Sequence, residues 1–106
     1  MLEQVSTHAK VFNGILKRKN NKGYIYIKIG EAWLEEHRLC CEEVLGRTLN
    51  KEEVVHHIDF NKENNSLNNL ALFESQKAHA HWHTQVRQFG ITRNLQREIE
   101  RRRIKN

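Results

Sequence analysis

The chain predicts an α+β fold in one small domain, and three patterns carry that reading. Tyr24 to Ile29 alternates strictly as a strand does, Glu31 to Leu45 spaces its apolar residues along one helical face, and His79 and His83 stand one helical turn apart. With 106 residues, the chain can bury one modest core but has no room for a separate recognition domain.

The first elements expected are strands at Lys10–Leu16 and Gly23–Ile29, joined by a basic turn at Lys17–Lys22, which together make an N-terminal β-hairpin. A core helix follows at Glu31–Leu45, with Trp33, Leu34, His37, Cys40, Cys41, Val44 and Leu45 on its apolar face, acids early, and Gly46 just past its end. Cys40 and Cys41 are adjacent, which rules out paired Cys-x-x-Cys ligation, so buried free thiols are expected.

Val54 and Val55 run into His56 and His57, the end of a second strand region in which neighbouring side chains point to opposite faces. One histidine can therefore bind a metal while the other points elsewhere. After an asparagine-rich loop, Leu70, Leu72 and Phe73 read as core residues of the partner strand. On the next helix His79 and His83 can point at one ion, and His81 faces away from both. Trp82 is expected to pack inward, and Asp59 to cap amides at the loop entry. Ile91, Leu95 and Ile99 then suggest a basic C-terminal helix whose narrow stripe allows packing on the domain, pairing with a second copy, or ordering on DNA.

The net charge is +5, and lysine and arginine concentrate at Lys17–Lys22 and Arg87–Lys105. No apolar run is long enough to span a membrane, and the start MLEQVSTHAK has no signal-peptide core, so a cytoplasmic protein is expected.

The stretch VVHHIDFNKENNSLNNLALFESQKAHAHWH resembles the HNH, or ββα-metal, endonucleases. Upstream, GYIYI and LEEHRLCCEEVLGRTLNKEEVVHH are similar to the longer pattern of phage-type HNH proteins, so the resemblance covers Gly23 to His83. It implies a ββα-metal finger over about residues 53–87, whereas the basic C-terminal helix, over about 91–105, is expected from the spacing of Ile91, Leu95 and Ile99. The implied activity is metal-dependent hydrolysis of DNA phosphodiester bonds, by nicking or by double-strand cleavage, in a bacterial or phage-infected cytoplasm.

The resemblance further implies that His57 is the general base, that His56, His79 and His83 hold the metal, and that Asn69 braces the loop carrying the base. One divalent ion is expected. Family habit favours magnesium or manganese, and three imidazoles would suit zinc or nickel. Beside a phosphate-cleaving motif, the basic runs read as a footprint for double-stranded DNA, with Lys17, Arg18, Lys19, Lys22, Arg38, Arg87, Arg93 and Arg97 as candidate contacts. For Arg38 a structural hydrogen bond is the equal alternative, and His37 on the apolar face is expected to be a packed core residue.

One departure stands out. Phe60 occupies a position where many relatives place glycine, and a left-handed backbone there would be strained. The expectation is that Asn61 takes that conformation or that the loop turns differently. The rival readings are a catalytically inactive HNH-like DNA-binding module and a zinc-stabilised interaction protein; a homodimer or a phage protein partner is left open.

Overall fold

Strict alternation from Tyr24 to Ile29 places Ile27 inward, and this strand becomes the centre of a three-stranded antiparallel sheet. The computed structural model describes residues 16–105, so the expected strand at Lys10–Leu16 lies outside the described residues except for Leu16. The sheet order is β1 (Lys17–Lys19), β2 (Ile25–Ile29), β3 (Ala32–Glu35), with Lys17 opposite Ile27 and Ile27 opposite Leu34. Lys17–Lys19 are therefore strand residues, and the turn is confined to the residues after them. The Asn20 side chain closes it by accepting from the Lys22 and Tyr24 amides at 3.0 and 2.9 Å.

The third strand corrects the sequence expectation. Trp33 and Leu34 belong to β3, and the helix α1 runs only from Glu36 to Leu45. The physical reason lies in the two-residue connection Gly30–Glu31, since Ile29 pairs directly with Ala32 and Gly30 sits at φ 60°. A tight turn continues the sheet where apolar spacing alone suggested a helix. On α1 the inward residues are Glu36, His37, Cys40 and Cys41, and Leu45 is exposed. Gly46 ends the helix in the left-handed conformation at φ 71°, its amide donating to the Glu42 carbonyl.

A second, two-stranded sheet pairs β4 (Val54–His57) with β5 (Leu70–Phe73), His56 opposite Ala71 and His57 opposite Leu70. Helix α2 (Gln76–Phe89) follows, capped by Ser75, whose hydroxyl accepts from the Ala78 amide. Helix α3 (Arg93–Arg102) is capped by Thr92, so Ile91 lies before the helix and is exposed, outside the stripe expected for it.

Two apolar clusters hold these pieces. Ile27, Cys40, Cys41, Leu49, Val55, Leu70 and Ile104 join the first sheet, α1 and one face of the second sheet. Phe73, Trp82, Leu95 and Ile99 join β5, α2 and α3. The C-terminal segment thus packs back on the domain. Ile104 completes the docking, its amide donating to the Leu70 carbonyl at 2.8 Å. Arg102 is drawn into the same seam, its guanidinium over the Phe73 ring and its N–H groups on Glu74 and Glu98. No helix among the described residues is long and apolar enough to cross a membrane.

Candidate active site

Strand geometry sends the two adjacent histidines apart. From β4, His56 turns toward α2, where His79 and His83 present their rings on one face. The His56 Nδ1 lies 3.0 Å from the His79 Nε2, which lies 3.0 Å from the His83 Nε2. All three ligand atoms fall within 4.8 Å of one another. Imidazole nitrogens about 2.1 Å from one divalent ion stand roughly 3.0–3.4 Å apart in octahedral or tetrahedral arrangements, so the two 3.0 Å separations match those of ligands to a single ion, which the set could hold.

Charge favours the same reading. Burial first, and then the neighbouring histidines, hold His56 down to about 3 and His79 to about 4, and burial lowers His83 as well. The three rings are therefore neutral at pH 7, the form that binds a cation. At most one hydrogen can be shared across each close nitrogen pair, whereas a cation satisfies all three lone pairs at once. The far nitrogens, His56 Nε2 and His79 Nδ1, are buried without a hydrogen-bond partner. His56 instead lies among the rings of Trp82, Phe73 and Phe60 at centroid distances of 5.0, 5.8 and 5.6 Å. Aromatic packing, and no hydrogen bond to these far nitrogens, holds the outer sides of the rings.

His57 faces the first sheet and α1. Its Nε2 lies 2.6 Å from the Asn65 Oδ1, and the Asn65 Nδ2 donates to the Glu36 Oε1 at 2.8 Å. The His37 ring stands edge-on to it at 5.3 Å. Burial lowers the His57 imidazole below its ordinary value, while the Asn65 hydrogen bond and the Asp59 carboxylate pull the other way. His56, His57, His79 and His83 border one cleft of about 220 Å³ with Tyr24, Phe60 and Lys62.

Asn69 lies at the end of a short 3₁₀ turn (Leu67–Asn69) and ties the loop between β4 and β5. Its Oδ1 accepts from the Asp59 amide at 3.0 Å, and its Nδ2 donates to the Asp59 Oδ1 and to the Asn64 carbonyl at 2.9 and 2.8 Å. Asp59 also accepts from the Asn61 amide and the Asn64 side chain, the capping expected of it. The left-handed residue in this loop is Phe60 itself, at φ 64°, and not Asn61. The residue is 54% exposed and its ring lies against His56 and His83, so an aromatic side chain occupies the mouth of the cleft at the cost of backbone strain.

The candidate phosphate contacts divide by their existing partners. Lys17 pairs with Glu36 at 2.8 Å, Lys19 with Glu63 at 3.0 Å, and Arg18 lies 4.2 Å over the Trp33 ring. Arg38 donates to the Glu53 and Asn50 carbonyls at 2.6 and 2.7 Å, which gives it the structural bonding that the sequence allowed. Lys22, Arg87, Arg93 and Arg97 are exposed, Arg87 donating a hydrogen bond to the Thr84 hydroxyl. His81 is exposed, Trp82 is buried with its Nε1 donating to the Leu95 carbonyl, and Cys40 and Cys41 are buried free thiols raised by burial, Cys41 to about 12.

The sequence model of the HNH endonuclease family matches residues 36–80. Residues 36–80 are thus an HNH endonuclease-type segment. The matched HNH segment runs from the start of α1 into α2, taking in His56, His57, Asn65, Asn69 and His79. No curated protein and no solved structure matches the chain. Within this HNH site, sequence reasoning missed Asn65, Glu36 and Lys62. Asn65 was one asparagine among several in a polar loop, and its partner Glu36 is 29 positions away. Lys62 borders the cleft, its Nζ 4.8 Å over the Tyr24 ring.

Proposed function

We propose that this chain is a metal-dependent DNA endonuclease that hydrolyses phosphodiester bonds with His57 as general base. The observation that carries the reading is the opposite orientation of His56 and His57 on one strand. One imidazole joins a three-nitrogen cluster, and the other, neutral and hydrogen-bonded, borders the same cleft.

His56, His79 and His83 would hold one divalent ion. When bound, the ion would supply positive charge to the phosphate and to the departing 3′ oxygen. His57 accepts the proton of the attacking water, a role suited to an imidazole kept neutral by burial. The new oxygen–phosphorus bond forms as the bond from phosphorus to the 3′ oxygen breaks, and the departing oxygen takes a proton from solvent water, leaving 5′-phosphate and 3′-hydroxyl ends. Asn69 holds the loop entry so that β4 presents His57 in one position. Lys22, Arg87, Arg93 and Arg97, free of anionic partners among the described residues, bind the duplex backbone without reading its sequence. Three imidazoles favour a transition ion by affinity, and magnesium or manganese favour turnover by availability.

Incubation of the full chain with supercoiled plasmid and, in turn, magnesium, manganese, nickel or zinc tests the reading. Nicked or linear product that disappears with chelator is expected. DNA retention without nicking in any metal would overturn it in favour of a binding module, and a collapse of the melting temperature on chelation, again without nicking, in favour of a structural zinc site.

A further inference from the structure

We infer that Asn65 and Glu36 form a positioning relay that keeps a hydrogen on the His57 Nε2 and so reserves its Nδ1 for the proton taken from water. The inference rests on the proposed nuclease reading and adds to it which nitrogen acts and which residues decide that.

The relay is defined by hydrogen-bond polarity. The Glu36 Oε2 lies 2.8 Å from the Lys17 ammonium, and its other oxygen, Oε1, takes the Asn65 amide hydrogen at 2.8 Å. A carboxylate in such an ion pair only accepts, so Asn65 must turn its NH₂ toward Glu36 and its carbonyl oxygen toward His57. That oxygen, 2.6 Å from the His57 Nε2, can only accept in turn. The hydrogen between them therefore belongs to Nε2, and the neutral ring has its free lone pair on Nδ1.

Burial makes the arrangement rigid. Glu36, His57 and Asn65 are exposed by only 6, 6 and 8%, and the His37 ring stands edge-on to His57 at 5.3 Å. Reversing the Asn65 amide would place its NH₂ against the ring and its oxygen against a carboxylate, leaving buried groups mismatched. Lys17, a candidate DNA contact by sequence, thereby acquires a second role as the counter-charge that fixes Glu36. Asn65 and Glu36 act through His57 and are positioning residues.

Two measurements test the relay in the full chain. Nitrogen-15 NMR of the magnesium-supplemented wild type at pH 7.5 should show the His57 hydrogen on Nε2; a hydrogen on Nδ1 overturns the inference whatever the variants do. In the plasmid assay, Asn65→Ala should lower turnover about 100-fold with DNA retention and metal affinity unchanged. Asn65→Asp should be comparably slow because two carboxylates then face each other. Adding Glu36→Gln to Asn65→Asp restores a donor facing an acceptor and should raise turnover at least about tenfold, although Glu36→Gln alone gives no gain. Wild-type turnover in Asn65→Ala, or no recovery in a folded double variant, would sink the relay. If the wild type fails to nick in every metal tested, the nuclease reading fails by itself, and the position of the hydrogen still judges the relay.

Discussion

The two sides of β4 solve different problems with the same side chain. On the His56 side three imidazoles converge without a carbonyl or carboxylate to take their far hydrogens, and the rings are held by Phe73, Trp82 and Phe60. On the His57 side a chain of polar groups, Asn65, Glu36 and Lys17, fixes one ring by hydrogen bonds and an ion pair. Aromatic packing leaves nitrogen lone pairs free to converge on a cation, while a directional bond decides which nitrogen of a base carries hydrogen. One residue of strand pleat separates the two chemistries.

The largest effect expected comes from removing the His57 side. His57→Ala should lower plasmid nicking by about 10²- to 10⁴-fold, the usual contribution of a positioned base, with metal binding by calorimetry unchanged. Loss of metal binding in that variant would mean that the two histidines have exchanged roles.

Breaking the other side should look different. His79→Ala or His83→Ala should weaken metal affinity by on the order of 100-fold, at least as much as losing an outer partner of a ligand, and excess ion should recover part of the turnover. Titration of nicking against metal concentration distinguishes the two sides, because saturation should rescue only the ligand variants.

Asn69→Ala removes a side chain that makes three hydrogen bonds at the loop entry and should cost about 2 kcal/mol of stability by denaturant unfolding. Turnover should fall more than DNA retention does, since the loop presents the base and not the phosphate contacts.

Acid should expose the buried neutral histidines together. His37, His56 and His79 are lowered from 6.5 to about 4, 3 and 4, so the unfolded chain takes up protons at a higher pH than the folded one. Their contribution is complete above pH 6.5 and is lost as pH falls from there toward 4, at up to about 1.4 kcal/mol per pH unit for each group. Melting temperatures of chelator-treated protein should fall through that window, and zinc or nickel should hold them up in its upper part.

The smallest effect sharpens the comparison from the loop between the two sides. Phe60→Gly should relieve the left-handed strain and add about 1 kcal/mol of stability, read as a higher denaturant midpoint, while uncovering the rings of His56 and His83. An unchanged or lower midpoint would show that the Phe60 ring contributes more by packing than its backbone costs.

Local pattern determined much of this protein before any contact was known. Period two assigned β2, Gly46 ended α1 in the left-handed conformation that glycine favours, and the spacing of His79 and His83 set two rings on one helical face. Phe60 was recognisable as standing where relatives place glycine, although the expectation that Asn61 would take the left-handed conformation, or that the loop would turn differently, was not met: Phe60 adopts it. These signals depend on residues within a turn or two of one another. Tertiary structure decided what such spacing cannot encode. It drew Ala32–Glu35 into the sheet because pairing with β2 satisfies backbone groups that helix propensity would have used otherwise. It also seated Ile104 on β5 and placed Glu36 beside Asn65. The proposed ligand set could be read from one segment of sequence, but Glu36, which holds the Asn65 amide against His57, came from a distant element, because only folding brings a buried donor to its acceptor.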